Sequence, residues 1–110
     1  MSHVSTTELV NQLKQGEHNY AEVLSEESMR VELAHYPNPA PKNPHKEDEL
    51  YFIMSGSGMV HVGSETYSIN EGDVVFVEQG MEHDFFDIED ELTALIVFTG
   101  SQDSVLGRNP

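Results

Sequence analysis

Residues 50–80 read LYFIMSGSGMVHVGSETYSINEGDVVFVEQG. Short runs rich in Val, Ile, Phe and Tyr are cut every few residues by glycine, serine or asparagine. β-branched and aromatic residues fit a pleated, half-buried surface, and glycine-centred clusters suit the tight turns between strands. The pattern predicts strands over 50–55, 59–62, 66–69 and 74–77. Chain reversals fall between them, at Gly56-Ser57-Gly58, after Gly63, at Asn70 to Asp73 and at Glu78 to Gly80. Working outward, 84–88 ends at Glu89-Asp90-Glu91, and 92–99 is the last strand. On the other side, Tyr20–Leu24 precedes the turn-like Glu26-Glu27-Ser28, and Met29–Tyr36 alternates apolar with polar. Many short strands with glycine punctuation mean an all-β sandwich or closed barrel.

The ends differ in character. Ser5-Thr6-Thr7-Glu8 is a capping-box pattern, and Leu9, Val10 and Leu13 recur at helical spacing, so a short helix is expected over 6–15. Pro37, Pro39, Pro41 and Pro44 exclude helix and central strand from 37–44, which reads as an extended loop. The expected organisation is an N-terminal arm with a short helix over 1–19, one β-barrel over 20–100, and a polar tail over 101–110.

The chain has 110 residues, no cysteine, 5 Lys+Arg against 20 Asp+Glu, and a formal net charge of −15. That length holds one domain. Without cysteine there are no disulfides, thiolate ligands or thiol nucleophiles. The acid excess argues against nucleic acid and anionic membranes as partners and favours cations. No apolar stretch approaches the ~20 residues of a membrane span, and no signal peptide is visible. The expected location is cytoplasmic.

Three residues carry the candidate chemistry. His45 follows the proline-rich loop, Glu49 opens the Leu50 strand, and His83 follows the Gly80 turn. Two imidazoles and one carboxylate suit Fe, Mn, Ni or Zn as a divalent ion. On one straight strand His45 and Glu49 would stand about 13 Å apart, too far to share an ion with bonds of about 2 Å. A turn at 46–48 that folds Glu49 back towards His45 is therefore expected. Glu47 and Asp48 are competing carboxylates, because a slip of one residue exchanges the inward face. Tyr51 and Ile53 share the face of Glu49, and Phe85 and Asp87 that of His83. Tyr51 and Phe85 are thus candidates to line the pocket. Asp87 is a candidate to orient an imidazole or, equally, to cap a turn. His61, between Val60 and Val62, faces away from them, and Asp73 beside Gly72 is read as stabilising a turn.

Asn43-Pro44-His45-Lys46-Glu47-Asp48-Glu49, followed by six residues and Gly56, resembles the first motif of the cupins. The stretch from Gly72 through Gly80 and His83 to Asp87 resembles their second motif. The resemblance implies a double-stranded β-helix of jelly-roll type, with His45, Glu49 and His83 as metal ligands at the barrel mouth. Asn43 stands where the motif has its first histidine and would be a weak ligand. Pro37, Glu78 and Asp87 replace a glycine, a proline and an asparagine of the pattern. The implied activity is that of a metal-dependent enzyme, a dioxygenase or isomerase, acting on a small organic molecule. Its alternatives are a non-catalytic small-molecule-binding or sensor barrel and a metal-free partner module. The early strands at 17–36 supply edges that could pair across a two-fold axis, so a homodimer is expected.

Overall fold

The computed structural model describes residues 3–15, 20–36 and 46–100. The expected proline-rich loop over 37–44, Asn43, His45 and the tail from 101 lie outside the described residues. One helix and six strands follow in order: α1 (Thr6–Gln15), β1 (Tyr20–Ser25), β2 (Met29–Tyr36), β3 (Asp48–Val62), β4 (Glu65–Asn70), β5 (Val74–Val77) and β6 (His83–Thr99). The helix begins where its cap predicts, with the Glu8 amide donating to Ser5 Oγ at 3.3 Å. It lies against β1 and β2 and buries Leu13. No helix among the described residues is long and apolar enough to cross a membrane.

All pairings are antiparallel, in the order β1-β2-β6-β3-β4, with β5 paired to β3. Two strands are longer than expected. Gly56-Ser57-Gly58 is not a chain reversal, and Glu89-Asp90-Glu91 does not divide the last strand in two. β3 and β6 instead run through these segments with shifts in register at Ile53–Met59. The first part of β3 pairs with β5 and the last part of β6; its second part pairs with β4 and the first part of β6.

The two parts face each other. Phe85 pairs with Val60, nine residues beyond Tyr51, yet the Tyr51 and Phe85 rings lie 5.0 Å apart between centroids. A straight strand would separate those rows by roughly 30 Å, so the sheet is rolled onto itself. Gly56 permits the bend: its φ is +95°, and a Cβ there would stand 2.2 Å from the Glu91 carbonyl oxygen. Across the sheet Asp87 and Asp90 also take positive φ, at 49° and 60°. Asp is one of the few residues that tolerates that region. Gly58 has no positive φ; a Cβ there would stand 3.2 Å from Ile88, a tight fit that favours glycine.

The turns follow their sequences. Asn70 to Asp73 closes with the Asp73 amide on the Asn70 carbonyl at 3.0 Å, and the Asp73 carboxylate accepts from the Asn70 amide at 2.8 Å. The core lies inside the roll, where Ile53, Val60, Ile69, Val75, Val77, Leu92, Ala94 and Ile96 pack with the aromatic rings of Tyr36, Tyr51, Phe85 and Phe98.

Candidate functional site

Register decides which polar groups enter this interior. On β2, Val31 and Leu33 face outward beneath the helix, while Arg30, Glu32, Ala34 and Tyr36 alternate onto the inner face. Just ahead of β3 and on its first part, Glu47, Glu49, Tyr51 and Ile53 are buried. Arg30 pairs with Phe98 and Phe98 with Glu49, so the three form one row across β2, β6 and β3.

At the centre of the lumen stand Glu49 and His83, 2% and 4% exposed. Glu49 Oε1 and His83 Nε2 lie 3.7 Å apart. The Tyr51 hydroxyl bridges them, donating to Glu49 at 2.8 Å and lying 3.0 Å from His83 Nε2. The bend at Gly56 makes this possible, since His83 pairs with Val62 at the far end of β3. On the other side of the imidazole, Nδ1 faces the Met81 carbonyl at 3.1 Å. A carbonyl only accepts, so Nδ1 carries hydrogen and the Nε2 lone pair points at the cluster. Nε2 and Glu49 Oε1 both face the Tyr51 hydroxyl.

Tyr36 packs against Phe85 at 4.9 Å between ring centroids. Burial, then the charges of Glu49 and Glu32, push its hydroxyl above the usual tyrosine range. Burial, then Tyr36 and Glu49, push Tyr51 up still further. Both phenols are therefore neutral hydrogen donors over the physiological range.

A second polar group lies beside this one. The Arg30 guanidinium donates to Glu32 through Nη1, and through Nη2 to Glu47 at 2.9 Å. It stands 3.8 Å above the centre of the Phe98 ring. Glu47 is 4% exposed. A cavity of about 210 Å³ borders Arg30 and Glu47.

Glu49, His83, Tyr51 and Phe85 are thus brought together, with Tyr51 bonded to both candidate ligands as well as lining the lumen. The chain bends at 46–47, within the expected turn, and β3 has already begun at Asp48. Asp48 does not compete with Glu49: its carboxylate accepts from the Gln79 amide at 2.9 Å. Asp87 is exposed at its positive-φ bend and off the face of His83, whose Nδ1 bonds the Met81 carbonyl instead. His61 is exposed and stacks on Phe86. His35 lies outside the lumen, on Thr93 Oγ1 at 3.0 Å and near Glu91 at 3.3 Å. Among the described residues no group of three His, Asp or Glu side chains converges on one point. Glu49 and His83 supply two donors, and the third candidate, His45, is outside the described residues. Arg30, Glu32 and Tyr36 are not among the residues expected from sequence, although the alternation of Met29–Tyr36 places Arg30 and Glu32 on the face of Tyr36; Glu47, expected only as a rival of Glu49, is buried on Arg30.

Comparisons with known proteins bear on this arrangement. Residues 29–99 match the cupin domain family. An uncharacterized protein of Streptomyces coelicolor is 38% identical over 84 residues, covering 73% of this chain and 78% of that protein. An HTH-type transcriptional activator RhaR of Mannheimia succiniciproducens is 32% identical over 78 residues, covering 70% of this chain but 28% of the activator. An acireductone dioxygenase of Stenotrophomonas maltophilia is 43% identical over 51 residues, covering 43% of this chain and 27% of the enzyme. The crystal structure of an RmlC-like cupin with a double-stranded β-helix fold from Methanocaldococcus jannaschii superposes with a TM-score of 0.69 at 15% identity. That match covers 79% of this chain and 84% of the other.

Proposed function

The chain belongs to the cupin domain family, and from that premise we propose that its lumen holds a divalent metal and acts on a small organic molecule. The observation that carries the reading is the buried Glu49–Tyr51–His83 group, with an imidazole lone pair and a carboxylate oxygen 3.7 Å apart. Two donors each about 2.1 Å from an ion can stand that far apart without rearrangement. The Met81 carbonyl on Nδ1 is the kind of partner that fixes a ligating imidazole.

The charge of the lumen supports the same reading. Arg30 faces both Glu32 and Glu47, and Glu49 lies on the same sheet row beyond Phe98, so among the described residues carboxylates outnumber the guanidinium and a divalent cation would offset the excess. Glu49 and His83 would hold the ion with His45, and Asn43 would be a weak further ligand. Iron, manganese, nickel or zinc suits two nitrogens and a carboxylate. Bound there, such an ion would supply Lewis-acid or redox chemistry of the kind a dioxygenase or isomerase requires. The protein's own contribution is to keep Tyr51 neutral, ready to donate hydrogen to a ligand oxygen beside Glu49. Its packed aromatic rings exclude water from that point.

The similarity to part of a transcriptional activator favours a second reading, a non-catalytic barrel that senses a small molecule. A cytoplasmic location and assembly as a homodimer complete the proposal. The dimer is supported by an uncovered apolar outer face of Leu50, Phe52, Val74 and Phe76, each 40–58% exposed.

Metal content decides first. Untagged protein purified without added metal is expected to carry close to one ion per chain. His83→Ala should lower affinity for Mn(II) or Ni(II) about a hundredfold in calorimetric titration. Oxygen uptake across a panel of small substrates, lost in His83→Ala, separates the enzyme from the sensor. Unchanged metal affinity in that variant would remove His83 from the site.

A further inference from the structure

We propose that Arg30 is a positioning residue for the metal site: by holding the buried Glu47 carboxylate it fixes the chain where it enters β3, two residues before Glu49 and two after His45. The inference deepens the proposed function and rests on its metal reading.

The anchor is stiff. β2 pairs with β6 without a shift in register from Met29–Thr99 to Tyr36–Leu92, so the backbone at Arg30 is fixed along its length. The guanidinium donates to Glu32 through Nη1 and lies 3.8 Å from the centre of the Phe98 ring. That ring is a flat support on which the planar donors stay oriented. Through Nη2 the same group donates to Glu47, 17 residues further along the chain, at 2.9 Å.

The anchored segment is the entry to the sheet. Asp48 and Glu49 belong to β3 and are set by its ladder, opposite Thr99 and Phe98. Glu47 precedes β3, in the bend, yet is only 4% exposed. The hydrogen bond from Arg30 thus carries the order of the sheet one residue ahead of the ladder. Two residues of chain reach at most about 7 Å, so holding Glu47 confines where residue 45 can lie. Metal bonds of about 2 Å leave little tolerance for misplacement.

Neither stability nor charge explains the arrangement. A buried ion pair is often no better than hydrocarbon of the same volume. Arg30 stands two strand spacings, about 10 Å, from Glu49, and a cation there repels the ion that the lumen would bind. Position and charge therefore predict opposite signs when Arg30 is removed.

The test titrates Mn(II) by calorimetry into the metal-free parent, His83→Ala and the Arg30 variants, with circular dichroism to check folding. Arg30→Met removes a positive charge, so charge alone would tighten binding; the positioning role makes it about tenfold weaker. Arg30→Met combined with Glu47→Leu leaves the net charge of the lumen unchanged and should be weakened to a similar extent. That double variant buries no unpaired Glu47 charge, and it decides the matter if Arg30→Met alone does not fold. Arg30→Lys keeps a cation for Glu47 and should fall between, about threefold below the parent. A parent that binds Mn(II) as His83→Ala does not, with the Arg30→Met variants binding equally well or more tightly, would overturn the positioning role and leave the metal reading standing. A parent that takes up no ion would overturn both.

Discussion

The two parts of β3 obey opposite rules. Beyond the bend, Val60 is buried and His61 exposed, the usual arrangement of a strand with one face in water. Before it, Glu47 and Glu49 are buried, and Leu50 and Phe52 are 40% and 43% exposed. Val74 and Phe76 of β5 extend this exterior, directly opposite Phe52 and Leu50. Carboxylates inside cost stability unless paired, and filling the same space with hydrocarbon is often neutral or better. Packing alone does not account for the inverted half. Under the proposed function, its inner face would answer to what binds there and its outer face to what covers it.

Breaking the inner arrangement should have the largest effect. Arg30→Met leaves Glu32 and Glu47 without their guanidinium and should cost about 3 kcal/mol in urea unfolding. Replacing Arg30, Glu32 and Glu47 together by Met or Leu should recover most of that loss. If the single variant is as stable as the parent, the three side chains are not coupled.

The phenols give the next effect, visible only in alkali. Folding raises the pKa of Tyr36 and Tyr51, so the folded protein holds those protons more tightly than the unfolded chain does. The associated stability is complete below about pH 10 and declines as pH rises further, by about 1.4 kcal/mol per pH unit for each group. Tyr51→Phe should flatten that limb by one such increment, measured as midpoint against pH.

The smallest effect on the chain's own stability belongs to the exterior. Leu50→Ser with Phe76→Ser should change the unfolding free energy of the isolated subunit by only about 0.5 kcal/mol. The same pair should convert a dimer to a monomer in light scattering. An unaltered mass would place the contact elsewhere, for instance on the outer edge of β1.

Most of the architecture could be read from local chemistry. The helix, β2 and β5 lie at the expected residues, because capping, alternation and flanking turns all agree there. The long strands could not be read in the same way. A glycine signals a φ that other residues avoid, or a lack of room for a Cβ, but not whether the chain reverses or only bends. Gly56 and Gly58 differ in this respect, and register across the sheet distinguishes them. The site divides along the same line. Glu49 and His83 stood out by motif and Tyr51 by parity with Glu49. The partnership of Arg30 with Glu47 spans 17 residues, so no local pattern displays it. From its neighbours alone Glu47 reads as a rival of Glu49, since the counter-ion that gives it a separate place comes from another strand.

The turn ahead of β6 reaches further than its exposed position implies. Gly80 takes a φ of +78° with open space around it, and the Met81 amide closes the turn on the Glu78 carbonyl at 3.0 Å. The carbonyl of that same Met81 holds His83 Nδ1. The hand of a solvent-facing peptide unit thus sets the carbonyl that steers a buried imidazole, and a side chain added at position 80, strained at that φ, would turn a ring it never touches.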